Sequence, residues 1–148
     1  MLGAWAASVV HLGPTGTGHK MKLLNNFLSL GYAAIYSEAL ALAARTGIST
    51  AQFDSVIRGS RMDCGFYQTF MGYALEGNRE SHRFTLTNGL KDMRYLAAMA
   101  DAAGVANPVG SAVKNSFALA VNTGGGGPED YVPHLADFIA RANGATPG

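Results

Sequence analysis

Gly13-Pro14-Thr15-Gly16-Thr17-Gly18-His19-Lys20-Met21-Lys22-Leu23-Leu24-Asn25-Asn26 is a glycine-rich turn that runs without interruption into a long apolar segment. Thr15 or Thr17 can cap a helix that starts at the turn. Leu24, Leu28, Gly31, Ile35, Ala39 and Leu42 then recur at helical spacing. The pattern predicts a helix from about Gly16 to Arg45, with that stripe as its apolar face and Lys22, Asn26, Ser29 and Ala33 roughly opposite. Thr46-Gly47 ends it, because glycine is free to take the left-handed conformation after a last turn. At about 1.5 Å per residue the helix would reach about 45 Å, longer than a domain of this size needs. It is therefore the expected central column.

Outward from that column the same signals mark further helices. Residues 1–12 form an apolar lead-in, one helical turn followed by an extended Ser8-Val9-Val10-His11-Leu12. Ser49-Thr50-Ala51-Gln52 is a capping-box pattern that should open a short helix to about Arg58. A helix from Phe66 to about Leu75 follows the Gly59–Gly65 loop, and Glu76–Arg83 is a polar loop. Leu86, Leu90, Met93, Ala97 and Ala100 share one side of a helix over Thr85–Ala103, which Gly104 stops. Asn107-Pro108 starts the next, with Asn as N-cap and Pro at the first helical position. It should run to about Asn122. Pro128-Glu129-Asp130, after the glycine run 124–127, is expected to open a last helix that ends near Asn143-Gly144, with its acids at the positive end. With no strand pattern and no internal repeat, the class is all-α: a bundle of about six or seven helices around one long central helix.

Composition narrows the function classes. The 148 residues carry 48% hydrophobic but only 14% charged side chains, where about a quarter charged is usual. Much of the surface should be covered, by another domain or by another copy. A net charge of +1 gives no electrostatic case for nucleic acid or an acidic membrane. The stretch Phe27–Ala44 is apolar but interrupted by Glu38 and rich in small residues, which suits a buried helix better than a membrane span. Cys64 is the one cysteine, so no internal disulfide framework exists and a reducing cytoplasm fits. A lone cysteine is more often a small core residue than a nucleophile. His11, His19, His82 and His134 are scattered with no pair at ligand spacing, so no metal site is expected.

Lys22 and Asn26 are four residues apart and project from the same helix face. Lysine can act as a charged donor or a general acid near a reacting oxygen, and asparagine offers both a donor and an acceptor. The bland alternative is a Lys22 that reaches water over its apolar stem while Asn26 bonds a loop carbonyl. Lys91-Asp92 is a second polar pair, which taken alone reads as a solvated first-turn pair. Gly16-x-Gly18 lacks the third glycine and the βαβ setting of a dinucleotide fingerprint, and the 124–127 run lacks the Lys-Ser/Thr of a phosphate loop.

Taken together, Gly13-Pro14-x-Gly16-x-Gly18-x-x-x-Lys22-x-x-Asn25-Asn26 resembles the signature that opens the C-terminal domain of the β-hydroxyacid dehydrogenases. That family includes 3-hydroxyisobutyrate dehydrogenase and tartronate semialdehyde reductase, with 6-phosphogluconate dehydrogenase more distant. The resemblance continues through Glu38–Ala43 followed by Gly47, Phe84 with Lys91-Asp92, Gly104-Val105-x-x-Pro108, and the glycine run with Asp130. It covers residues 8 to 143. Asn88-Gly89 departs from it, standing where the family usually has an apolar residue, and His19 and Lys20 add polarity just before Lys22.

The resemblance implies a fold like the 6-phosphogluconate dehydrogenase C-terminal domain over residues 13–148, a helical substrate-binding and dimerisation domain, with residues 1–12 leading in from an N-terminal Rossmann domain. It implies Lys22 as the catalytic lysine, Asn26 as a substrate ligand, and Phe84 lining the site. Lys91 would approach the cofactor, NAD or NADP, or the substrate from the adjoining helix, with Asp92 in support. Gly16 and Gly18 would let backbone come close to the neighbouring domain and to substrate. The implied reaction interconverts a short 3-hydroxy acid and its semialdehyde, in a homodimer or tetramer. Two rivals remain open: a non-catalytic helical oligomerisation module, and a relative that reduces imines or other acids.

Overall fold

The computed structural model describes residues 10–147. The lead-in expected before residue 10 lies outside the described residues. Six α-helices follow in order among the described residues: α1 (Thr17–Arg45), α2 (Thr50–Ile57), α3 (Gly65–Ala74), α4 (Leu86–Ala103), α5 (Pro108–Asn122) and α6 (Leu135–Ala142). α1 packs against α4, α5 and α6, and α4 lies along α5. The all-α class and the long central helix stand.

The helix ends follow local chemistry, with two exceptions. Ser49 and Gln52 form the capping box, at 3.1 Å and 2.9 Å. The Thr85 hydroxyl accepts from the Asn88 amide at 3.2 Å to start α4, and Gly104 stops it at φ 66°. At α1, neither threonine caps. Gly16 holds the N-cap position in a left-handed conformation, φ 96°, without a side-chain bond. At α5, Asn107 occupies the cap position, yet its side chain makes no cap bond and lies over Gly110 instead.

Two expectations need correction. Pro128-Glu129-Asp130 does not open the last helix. The Asp130 carboxylate accepts from the Gly127 amide at 2.8 Å, which folds the turn back. The backbone then runs extended past the start of α4, with Leu86 N–H on Asp130 O and Val132 N–H on Phe84 O, each at 2.8 Å. A single 3₁₀ turn, Val132–His134, leads into α6. The second correction concerns α1. Its expected stripe faces out: Leu24, Leu28, Ile35 and Leu42 are exposed, although Gly31 is buried. The buried side is Leu23, Leu30, Ala33, Ala34, Ser37 and Ala41. Small residues there let three helices approach one column, and the Ser37 hydroxyl is satisfied by Ala33 O at 2.7 Å. The face assigned as the opposite one, through Asn26 and Ala33, thus turns toward the core.

Gly89, unusual by sequence, has a packing cause. A Cβ there would stand 2.9 Å from the Phe117 ring and 3.3 Å from Leu30. The missing side chain is the space into which α5 and α1 reach. Cys64 is not a core residue; it is exposed at the start of α3.

Candidate functional site

The first turns of α1 and α4 bring three of the expected polar residues together. On α1, Lys22 and Asn26 share one face. On α4, Asp92 falls on the same side as Gly89 and Leu96, the face turned to α1, and is only 3% exposed. Asn26 donates its amide N–H to Asp92 Oδ2 at 2.7 Å, and Lys22 Nζ stands 3.4 Å from the same oxygen. The Lys22 side chain is nonetheless 55% exposed. One buried carboxylate therefore anchors the base of the cluster, and the ammonium keeps donors free toward solvent. Asn26 meets this carboxylate and not a loop carbonyl.

Lys91 and Asp92 part company. One residue along a helix is about 100° of rotation, so Lys91 points outward and is exposed while Asp92 is buried. The solvated reading holds for Lys91 and fails for Asp92. The signal was there: Asp92 lies three residues after Gly89 and four before Leu96, at the edge of the apolar face of α4, and a carboxylate there needs a partner, because a charge is otherwise too costly to bury.

Phe84 ends the loop before α4 and faces the ring of His82, with centroids 6.3 Å apart; His82 also meets Phe66 at 5.6 Å. Burial holds His82 below its usual imidazole range. Gly16 and Gly18 each have open space where a Cβ would be, so backbone is accessible at the start of α1. Grooves of about 1020 and 570 Å³ open on other faces of α1. Among the described residues no group of three His, Cys, Asp or Glu converges as a metal would require.

A long helical column with an exposed lysine and an asparagine on one buried carboxylate defines an all-α domain with a polar cluster near the start of its central helix. Residues 16–135 match the family described as the NAD-binding domain of NADP-dependent 3-hydroxyisobutyrate dehydrogenase. The chain belongs to that family. It is 31% identical over 116 residues to glyoxylate/succinic semialdehyde reductase 1 of Arabidopsis thaliana, covering 77% of this chain and 39% of the relative. It is 28% identical over 131 residues to L-threonate dehydrogenase of Escherichia coli, covering 88% and 43%. A crystal structure of 3-hydroxyisobutyrate dehydrogenase from Salmonella typhimurium superposes with a TM-score of 0.79 at 27% identity, over 90% of this chain and 47% of that one. The chain thus spans less than half the length of these relatives.

Proposed function

We propose that this chain is the helical, substrate-side half of an NAD(P)-dependent β-hydroxyacid dehydrogenase, acting on a short 3-hydroxy acid and its semialdehyde. The observation that carries this is the Lys22–Asp92–Asn26 cluster, in which a buried carboxylate fixes an exposed ammonium. The outward lysines Lys22 and Lys91 and the bare backbone at Gly16 and Gly18 fit a dinucleotide and a small acid laid against this face.

When bound, the nicotinamide supplies or accepts the hydride. The chain's own residues handle the proton and the position. Lys22 gives a proton to the carbonyl oxygen in reduction and takes it from the hydroxyl in oxidation. Asp92 holds the ammonium on its buried side, so the donors on the other side stay aimed outward. Asn26 has its N–H committed to Asp92, which leaves its carbonyl oxygen to accept from a substrate hydroxyl. Lys91 adds a cation for the cofactor, and Phe84 walls the substrate. A Rossmann domain would close the site from outside, and the whole would assemble as a homodimer or tetramer in the cytoplasm.

The test is hydride transfer by the chain joined to its Rossmann domain, on a panel of short 3-hydroxy acids, with and without Lys22→Ala. Removing a general acid should lower turnover by about 100-fold or more with cofactor binding intact. Equal activities would make Lys22 a structural lysine and the chain a packing and assembly domain. The isolated chain should not turn over; activity without a partner domain would overturn the half-enzyme assignment.

A further inference from the structure

Packing accounts for Gly89 but not for its neighbour Asn88. Asn88 is exposed, and among the described residues only its backbone N–H is engaged, by Thr85 Oγ1 at 3.2 Å. Its place relative to Lys22 follows from the contacts between α1 and α4. Asn26 meets Asp92, and Leu30 meets the Gly89 position, so the two helices run antiparallel. Leu30 and the Phe117 ring close over Gly89, so α5 covers that side of the α1–α4 contact. At about 100° per residue, Gly89 and Asn88 fall on opposite sides of Asp92 around α4. Leu30 and Ser29 likewise fall on opposite sides of Asn26 around α1, with Lys22 on the Ser29 side. The side away from α5 therefore collects Lys22, Ser29, Asn88 and Lys91, of which Ser29 is half-buried and the others exposed.

Along this open side the order is fixed by the antiparallel run. Lys22 lies to one side of the Asn26–Asp92 bond. Ser29 and Asn88 lie to the other, about 4.5 Å along α1 and about 6 Å along α4. The Ser29 hydroxyl is already spent on Asn26 O at 3.2 Å, which leaves the Asn88 amide as the polar group without a partner there. We propose that Asn88 is a specificity-determining residue, whose amide reads a hydroxyl on the carbon next to the reacting one. The inference rests on Lys22 as the proton donor, and it sets a preference for 2,3-dihydroxy acids over 3-hydroxy acids with an alkyl group on C2. The span suits this role. The Lys22 ammonium is drawn back to Asp92, and Asn88 stands one turn from Asp92 on the same side. Two hydrogen bonds of about 2.9 Å to oxygens on neighbouring carbons bridge such a gap. The chemistry suits it too. An amide is donor and acceptor at once, as a hydroxyl is, whereas a carboxylate is better served by the cation at Lys91. A methyl group in the same place would leave the amide stripped of water and unpaired once a second domain closed the site.

The test compares two acids that differ only in hydroxyl or methyl on C2, 2,3-dihydroxypropanoate and 3-hydroxy-2-methylpropanoate, with the chain joined to its Rossmann domain. The native protein should favour the dihydroxy acid by about 10-fold or more in kcat/KM. Asn88→Leu should lower that ratio by about 10-fold or more, through loss on the dihydroxy acid and gain on the methyl one. Asn88→Ala should lower it through the loss alone. The Asn88 side chain is exposed, so both variants should keep the native urea midpoint. Equal rates on the two acids, a native preference for the methyl acid, or variants that slow both acids alike overturn the role of Asn88. An Asn88→Ala that keeps the native ratio does so too, since the leucine effect is then one of bulk. These results leave the dehydrogenase reading standing. Activity on neither acid, nor on any other short 3-hydroxy acid, overturns that reading and this inference with it.

Discussion

Asn26→Ala should cost more stability than Asp92→Ala, although each removes the same 2.7 Å hydrogen bond. The asymmetry comes from what is left behind. Truncating Asn26 strands a carboxylate that is 3% exposed, with only the half-wet Lys22 ammonium at 3.4 Å to answer it. A buried charge short of its partner costs about 3 kcal/mol. Truncating Asp92 leaves a half-buried amide and an ammonium already mostly in water, both able to turn to solvent. The loss is then a charge-assisted bond, about 1.5 kcal/mol, and an exposed-side ion pair of about 0.5 kcal/mol. Once the carboxylate is gone, Asn26 has nothing left to satisfy, so the double variant should match Asp92→Ala at about 2 kcal/mol. Adding Asp92→Ala to Asn26→Ala should thus recover about 1 kcal/mol, or about 2–4 °C of midpoint for a domain of this size. Urea and thermal unfolding followed by far-ultraviolet circular dichroism read both quantities. Additive losses near 5 kcal/mol in the double variant, or a reversed order of the singles, would refute the buried-anchor account.

Other positions give sharper signs than magnitudes. Gly89→Ala gains helix propensity of about 1 kcal/mol, but its Cβ would meet the Phe117 ring at 2.9 Å, so a net loss of about 1–2 kcal/mol is expected in denaturant unfolding. The Ser81 hydroxyl oxygen is buried without a hydrogen-bond partner among the described residues, so Ser81→Ala should be neutral or stabilise by up to about 1 kcal/mol in the same assay. His134 accepts from Tyr131 N–H at Nδ1 (3.3 Å) and donates from Nε2 to Arg79 O (2.9 Å), and burial holds it below its usual value of 6.5. Below that value the unfolded chain takes the proton and the folded one resists it, so stability present above it is lost as pH falls. The urea midpoint should drop on acidification, and His134→Gln should flatten that slope; an unchanged slope would remove His134 as its source.

Much of the fold is legible because helix ends are local. The Ser49–Gln52 box, Thr85, Gly104 and Pro108 each act within one turn of themselves, and nothing in the packing competes with them. The failures are where a distant partner decides. Asp130 reads as a first-turn acid until its carboxylate takes the Gly127 amide and its backbone pairs beside Phe84. The face of α1 fails for a different reason. A helix that is apolar nearly all round gives no contrast for periodicity to detect, and the largest side chains are then a poor guide to the inside. Where three helices must converge on one column, the inner face has to be small, and Ala33, Ala34, Ser37 and Ala41 are what close packing asks for.

The site follows the same logic. Lys22 and Asn26 were readable as a pair because four residues along a helix fix a shared face whatever surrounds it. Asp92 was readable only as a neighbour of Lys91, since its role is set by α1, sixty-six residues upstream at Asn26. The inversion of α1 then explains why the two halves of the helix do different work. Near its start, the inward turn of Asn26 brings it to a buried carboxylate, and Lys22, at the edge of the same face, is held there with its donors outward. Farther along, with no buried acid to meet, the inner face is alanine and serine and the leucines are left outside. A column so arranged can present chemistry at one end and an apolar surface at the other. It is also why a chain of this length leaves so much apolar surface uncovered when it stands alone.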